Sequence, residues 1–387
     1  MNIDDYVKQQ KSIQDNLLMY IDNDVDHNDD YINLITFIDK QNILENPDDI
    51  REILYLISKI SKNHHRTINF FEKIEHILLY IKESIKKFIP SLDIFKIFKN
   101  NKRILLFLHT NGIITFDEII IQYILDKSQK EDSRYHLYFL PEINKYGDEK
   151  AKKIYEEDVK KVDLNSYEFY RKSGENESEL CSLIREDKSQ EFVTYITKNN
   201  ITISNETVHD SIFETNRFLI KNKEPTLIEY ASFFGSLEII KYLQFNGVKL
   251  ESSLWLYAIH SNNADLIHFL EENKISPINY KDCFFESIKC HHNQIANYIQ
   301  ENFLNDQSSE QIFLISKFND NIYERCFRSH NYFFFPENFN HEFIPFYLCQ
   351  SNYFTIVEFL INEEKIDINK KMQKILRKKF YNDIPNF

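Results

Sequence analysis

At 387 residues, with 42% hydrophobic and a formal net charge of −13, the chain is long enough to bury a core and too acidic for a general nucleic-acid binder, because phosphate contacts need a basic face. Only five glycines are present, which favours helices joined by Asn and Asp over Gly-dependent turns and sheets. No apolar run reaches the roughly 18 residues of a membrane span, the acidic start Met1–Tyr6 is no secretory leader, and five dispersed cysteines without paired spacing point to a reducing compartment, the cytoplasm or the nucleus.

Residues 1–127 read as a helical, non-repeating region. Asp22, Asp24 and Asp26 begin like a calcium loop, but His27 and Asn33 stand where such a loop needs Gly and a bidentate Glu. An exposed acidic loop is expected instead. Asp48 and Asp49 before Ile50 mark a helix start, with acidic groups at the positive end of the dipole. From Thr67 to Phe88, Ile68, Phe71, Ile74, Ile77, Leu78 and Ile81 fall on one stripe, the pattern of a single amphipathic helix that Pro90 ends. A helix pair follows, from Ile94 through an Asn111-Gly112 turn to Ile124. Residues 128–178 are rich in Lys, Glu and Asp and read as a solvated connection with one or two short helices.

Residues 179–387 repeat, in about five or six units. A small or apolar slot recurs at Ala231, Ala258, Ser287, Leu314 and Leu348, at steps of 27, 29, 27 and 34 residues. Four residues after each come Gly235, Asn262, His291, Phe318 and Asn352. Apolar pairs such as Ile239/Ile240 and closing residues such as Leu243, Leu270, Ile299 and Cys326 complete the unit. The physical reading is a helical hairpin. The first helix ends at the second slot in a left-handed residue, which Gly, Asn and His adopt most readily; Phe318 does not fit. A degenerate unit spans Ser178 to Ile203, and the 47-residue gap from Ile184 to Ala231 holds an insertion containing Ser211 to Ile220. Short-period self-similarity means a solenoid whose units bury their apolar faces on one another.

The best unit, Glu224 to Val248, resembles an ankyrin repeat. Pro225-Thr226-Leu227-Ile228 stands where that family has its Thr-Pro-Leu-His turn, and Gly247–Leu250 and Ile366–Asn369 resemble its finger. The stretches Ser211–Asn216, Ser253–Ile259 and Glu286–Asn293 are similar to an expanded group of protist ankyrin-repeat proteins that carry a helical amino-terminal region of unknown function. The resemblance implies an all-α fold, an ankyrin-like solenoid preceded by a helical region, and a binding role. It supplies no catalytic residues.

Candidate chemistry is sparse. Cys283, Cys290, His291 and His292 invite a zinc reading, yet Cys283 and His291 occupy repeat slots, and the paired spacing of zinc sites is missing. Gly112, Gly147, Gly174, Gly235 and Gly247 cannot build a phosphate loop. No enzyme, cofactor or metal is expected. Trp255 is read as packing between repeats. The basic face formed by Lys370, Lys371, Lys374, Arg377, Lys378 and Lys379 is read as a terminal cap. The expected function is recognition of a protein partner on the concave face, through Glu229, Ser232, Phe233, Phe234, Tyr257 and His260. The alternatives are a self-associating scaffold and, from the His291-His292 area, a metal-dependent enzyme.

Overall fold

A computed structural model describes residues 2–23, 28–67, 69–163, 165–221, 224–304, 322–336, 339 and 344–362. The four acidic-loop positions from Asp24, the slots Leu314 and Phe318, the second finger at Ile366 and the basic face from Lys370 lie outside those residues. Among the described residues the protein is all-α, with no strand and one isolated bridge, Thr207 to Thr226. In chain order the helices are α1 (Ile3–Asp22), α2 (Asn28–Lys40), α3 (Pro47–Asn63), α4 (Phe70–Tyr80), α5 (Lys82–Phe88), α6 (Ser91–Phe98), α7 (Lys102–Thr110) and α8 (Glu118–Lys130). Then come α9 (Leu140–Tyr146), α10 (Glu149–Asp158), α11 (Tyr167–Ser173), α12 (Glu179–Arg185), α13 (Ser189–Lys198), α14 (Arg217–Lys221), α15 (Leu227–Phe234) and α16 (Leu237–Phe245). The last are α17 (Leu254–Ser261), α18 (Ala264–Glu272), α19 (Tyr280–Cys290), α20 (Asn293–Ile299), α21 (322–329), α22 (Ile344–Gln350) and α23 (Phe354–Asn362).

The chain forms two compact units, one of residues 60–279 and one of residues 1–59 with 280–387. In the second, α1 packs against α2 and α23 and buries Ile3, Tyr6, Ile13 and Leu17. Its Gln14 side chain donates to Asn331 Oδ1 at 3.2 Å and accepts the Tyr332 N–H at 2.8 Å. The Tyr332 hydroxyl donates to Glu52 of α3 at 3.1 Å, and His330 Nδ1 lies 3.6 Å from the same carboxyl. Burial pushes the Glu52 carboxyl up to about 8, against the stabilising Tyr332 hydrogen bond.

In the unit of residues 60–279, the stripe predicted from Thr67 to Phe88 is two helices, α4 and α5, that meet at Ile81. Phe71, Ile74, Ile77, Leu78 and Ile81 are all buried, as the periodicity requires. Pro90 stands at the amino end of α6, and Gly112 takes the left-handed conformation in the expected turn. Residues 128–178 differ from the expected solvated connection. They carry α9, α10, α11 and 3-10 turns, and they bury Tyr138, Phe139, Leu140, Ile143 and Tyr167. The charges nearest this core pair within the segment, which lets it lie against apolar neighbours. Arg171 makes a bidentate pair with Glu142 at 2.8 and 3.0 Å, and Asp158 pairs with His136 and Lys161.

The hairpin reading of the repeats is visible in the backbone. Gly235, Asn262, His291 and Asn352 all have positive φ, between 52° and 72°. At three of these turns the next N–H bonds back to the small-slot carbonyl: Ser236 to Ala231, His292 to Ser287 and Tyr353 to Leu348, at 2.9 to 3.0 Å. These are Schellman closures, which satisfy carbonyls left over at a helix end. Two further turns of the same kind escaped the sequence pattern. Asp187 closes α12 with φ 48°, and His330 closes α21 with φ 52°. Asn331 bonds back to the Cys326 carbonyl at 3.0 Å. Cys326 therefore holds the position of Ala231 and Ser287 in a first helix, and not the closing position of a second helix.

At three of the turns the following residue also ties its hairpin to the one before. Ser236 Oγ donates to the Ile184 carbonyl at 2.5 Å, and Asn331 Nδ2 to the Ile288 carbonyl at 2.9 Å. In both cases the accepting carbonyl lies three residues before the previous left-handed residue. Asn263 Nδ2 reaches the Gly235 carbonyl at 3.3 Å. The turns are thus both helix stops and the joints between neighbours.

Candidate functional site

Three hairpins, α12/α13, α15/α16 and α17/α18, stand in series within residues 60–279. First helices pack on first helices, α12 on α15 and α15 on α17, while α13 packs on α16. The first of these turns reaches forward as well. The Asp187 carboxylate accepts the N–H groups of Glu238 and Ile239 at 3.1 and 3.0 Å, at the amino end of α16. Helix α15 opens with a capping box in which the Thr226 hydroxyl accepts from Glu229 N–H and the Glu229 carboxylate accepts from Thr226 N–H at 3.0 Å. The other Glu229 oxygen accepts from Ser253 Oγ at 2.8 Å, at the head of α17.

The inner faces follow from the slot pattern. Ala231, Ala258, Ile239, Ile240, Leu243, Leu266 and Leu270 are fully or nearly fully buried in helices. Trp255 is completely buried, and its indole N–H donates to the Ile275 carbonyl at 2.8 Å, so it packs and its polar atom is satisfied.

The six residues expected to face a partner divide into two groups. Glu229 and Phe234 are half-buried at the open margin. Ser232, Phe233, Tyr257 and His260 are buried, with 6% exposure or less. Ser232 Oγ donates to the Ile228 carbonyl at 2.8 Å and is spent within its own helix. Burial raises the Tyr257 phenol above its usual range, with the Glu229 charge adding to the effect.

Phe218 of α14 covers the other three. Its ring centroid lies 4.2 Å from His260, 4.9 Å from Tyr257 and 6.0 Å from Phe233. The predicted insertion is therefore the covering of the predicted face. It is firmly tied down. Lys102 Nζ donates to the Ile212 carbonyl at 2.6 Å, Asn176 Nδ2 to the His209 carbonyl at 2.8 Å, and Thr215 Oγ1 to the Gly174 carbonyl at 2.7 Å. Arg66 reaches Glu214 at 3.3 Å and Thr215 at 2.9 Å, and Ser211 bonds to Glu177. Sequence reasoning placed the insertion through the repeat spacing, and missed Phe218 because nothing local says where an insertion lands.

Cys283, Cys290, His291 and His292 are buried at 3% exposure or less, and burial raises both thiols, Cys283 to about 12. The Cys283 carbonyl accepts from Ser287 Oγ at 2.9 Å, and His291 serves as the left-handed turn. No protein-family model, curated protein or solved structure matches the chain.

Proposed function

We propose that the chain is a protein-recognition scaffold of ankyrin-like repeats that holds a partner protein across the first-helix face of its hairpin stack. The observation that carries this reading is the joint between hairpins. At three turns the residue after the left-handed position bonds through its side chain to the previous hairpin, at Ser236, Asn263 and Asn331. Neighbour-to-neighbour joints of this kind are a feature of repeat arrays, whose use is the display of an extended rigid surface. Rigidity matters because little ordering entropy is lost on binding.

The face is reached in two stages. Glu229 and Phe234 meet the partner first, and full engagement moves Phe218 off Phe233, Tyr257 and His260. Affinity capture with the full chain tests this. A captured protein that is reduced with Phe234→Ala and increased with Phe218→Ala supports it. Capture of the same set at the same level by both variants, or of nothing by any of them, overturns it.

A further inference from the structure

A cavity of about 890 Å³ opens between α7, α8 and the following loop on one side and residues 210–221 on the other, all within residues 60–279. Its charge runs against that of the chain. Six cationic side chains, Lys102, Lys127, Lys130, Arg134, Arg217 and Lys221, line it against three carboxylates, Glu131, Asp132 and Asp210, in a protein whose net charge is −13.

Part of this charge is already matched. Arg134 pairs with Asp210, Lys127 with Glu131 at 3.0 Å, and Lys130 with Asp126 at 3.6 Å. The buried Lys102 ammonium donates to one backbone carbonyl and feels the charges of Asp132, Glu214 and Asp210. Among the described residues, Arg217 and Lys221 form no ion pair, and both are exposed at the mouth. The crowding is felt inside. Burial lowers the Lys127 ammonium despite its Glu131 partner, and the charges of Lys99 and Arg217 lower it further. Convergent cations, some of them buried, are stabilised by a counter-charge with several oxygens, and guanidinium and ammonium groups at several angles suit a phosphate chain.

We propose that this cavity is a binding site for the polyphosphate group of a small molecule, held between Lys102, Lys127 and Arg134 on the helical wall and Arg217 and Lys221 on α14. Because α14 also carries Phe218, a bound polyphosphate bridges the covering segment to the helices behind it and keeps the first-helix face closed.

Isothermal titration calorimetry on the full chain, with sodium tripolyphosphate and separately with ATP, tests the site. Binding of both assigns it to the phosphate chain, and binding of ATP alone to a nucleotide; either supports the proposal. Arg217→Glu with Lys221→Glu changes exposed, unpaired groups and leaves the fold intact. It should weaken binding by about tenfold or more. Lys150→Glu with Lys153→Glu, on the exposed side of α10, removes the same charge elsewhere and should leave affinity unchanged. Failure of both ligands to bind at millimolar concentration, or equal weakening by the two double variants, overturns the proposal without touching the repeat reading.

Discussion

Truncating Phe218 to Ala is the sharpest test of the covered face. Full burial of a Phe ring makes its removal cost about 3–5 kcal/mol. Phe218 is half-buried and borders solvent, so the vacated space fills with water and the cavity penalty is small. Its ring contacts with His260 (tilted) and Tyr257 (edge-to-face), at 4.2 and 4.9 Å, add a part of the ~0.5–1.5 kcal/mol that each aromatic pair contributes beyond burial. Together these give a loss of roughly 2 kcal/mol. The single tryptophan, Trp255, sits in α17 beside the affected face and reports it in a urea titration. The anchors at Lys102, Asn176 and Arg66 remain, so the segment loosens at α14 while residues 209–215 stay bound. Hydrogen exchange should therefore speed up at residues 217–221 and little at 209–215. A variant within about 0.5 kcal/mol of the parent, with unchanged exchange in α14, would refute the assignment of Phe218 as the cover.

Leu243→Ala or Leu270→Ala should cost about 2–5 kcal/mol, because each is fully buried between helices, whereas Phe234→Ala should cost under about 1 kcal/mol; equal urea midpoints would show that the faces are misassigned. Glu142→Gln leaves the buried Arg171 charge without its bidentate partner and should lose about 3–5 kcal/mol, and a loss below about 1 kcal/mol would contradict a buried pair. Glu52 holds its proton to about 8 when folded and to 4.5 when exposed. The folded state thus binds more protons between those values, and its stability should fall with rising pH there, by up to about 1.4 kcal/mol per unit. Glu52→Gln keeps the Tyr332 hydrogen bond in reach and should remove that slope; an unchanged slope in thermal melts from pH 5 to 8 would place the titration elsewhere.

The turns were legible because their demand is local. A helix that must stop and reverse needs a left-handed residue, and Gly235, Asn262, His291 and Asn352 announce it by type. Asp187 and His330 make the same turn off the spacing of the other slots, His330 lying 39 residues after His291, so a reading at steps of 27 to 34 residues puts Cys326 in the wrong helix of its hairpin. The inner faces were legible for the same local reason, since helical periodicity fixes which residues share a side. What covers a side is not local. Ser232, Phe233, Tyr257 and His260 are buried, and Phe218 arrives on three of them from an insertion that has no repeat of its own. The cationic cavity was illegible in the same way. Lys102, Arg134 and Arg217 stand far apart in an acidic chain, and only the tie of residues 210–216 to α7 brings them together. Charge composition misled in residues 128–178, where pairs such as Arg171 with Glu142 neutralise each other and can be buried.

A face filled by its own chain binds on different terms from an open one. If Phe218 holds the cover down by about 2 kcal/mol, the open form is about one molecule in thirty, and an outside ligand for the full face binds about thirtyfold more weakly than its contacts alone would give. The segment cannot be out-competed by concentration, because its anchors keep it at millimolar effective concentration or above. On the proposed function, weak aromatic contacts from a partner would be rejected, and selection would fall on partners that also use Glu229 and Phe234. The proposed polyphosphate, held between Arg217 and Lys221 and the helices behind them, would deepen the closed state by its own differential affinity. Conversely, a partner that lifts α14 must lower the affinity for that anion by the same factor, since the two equilibria share one moving element.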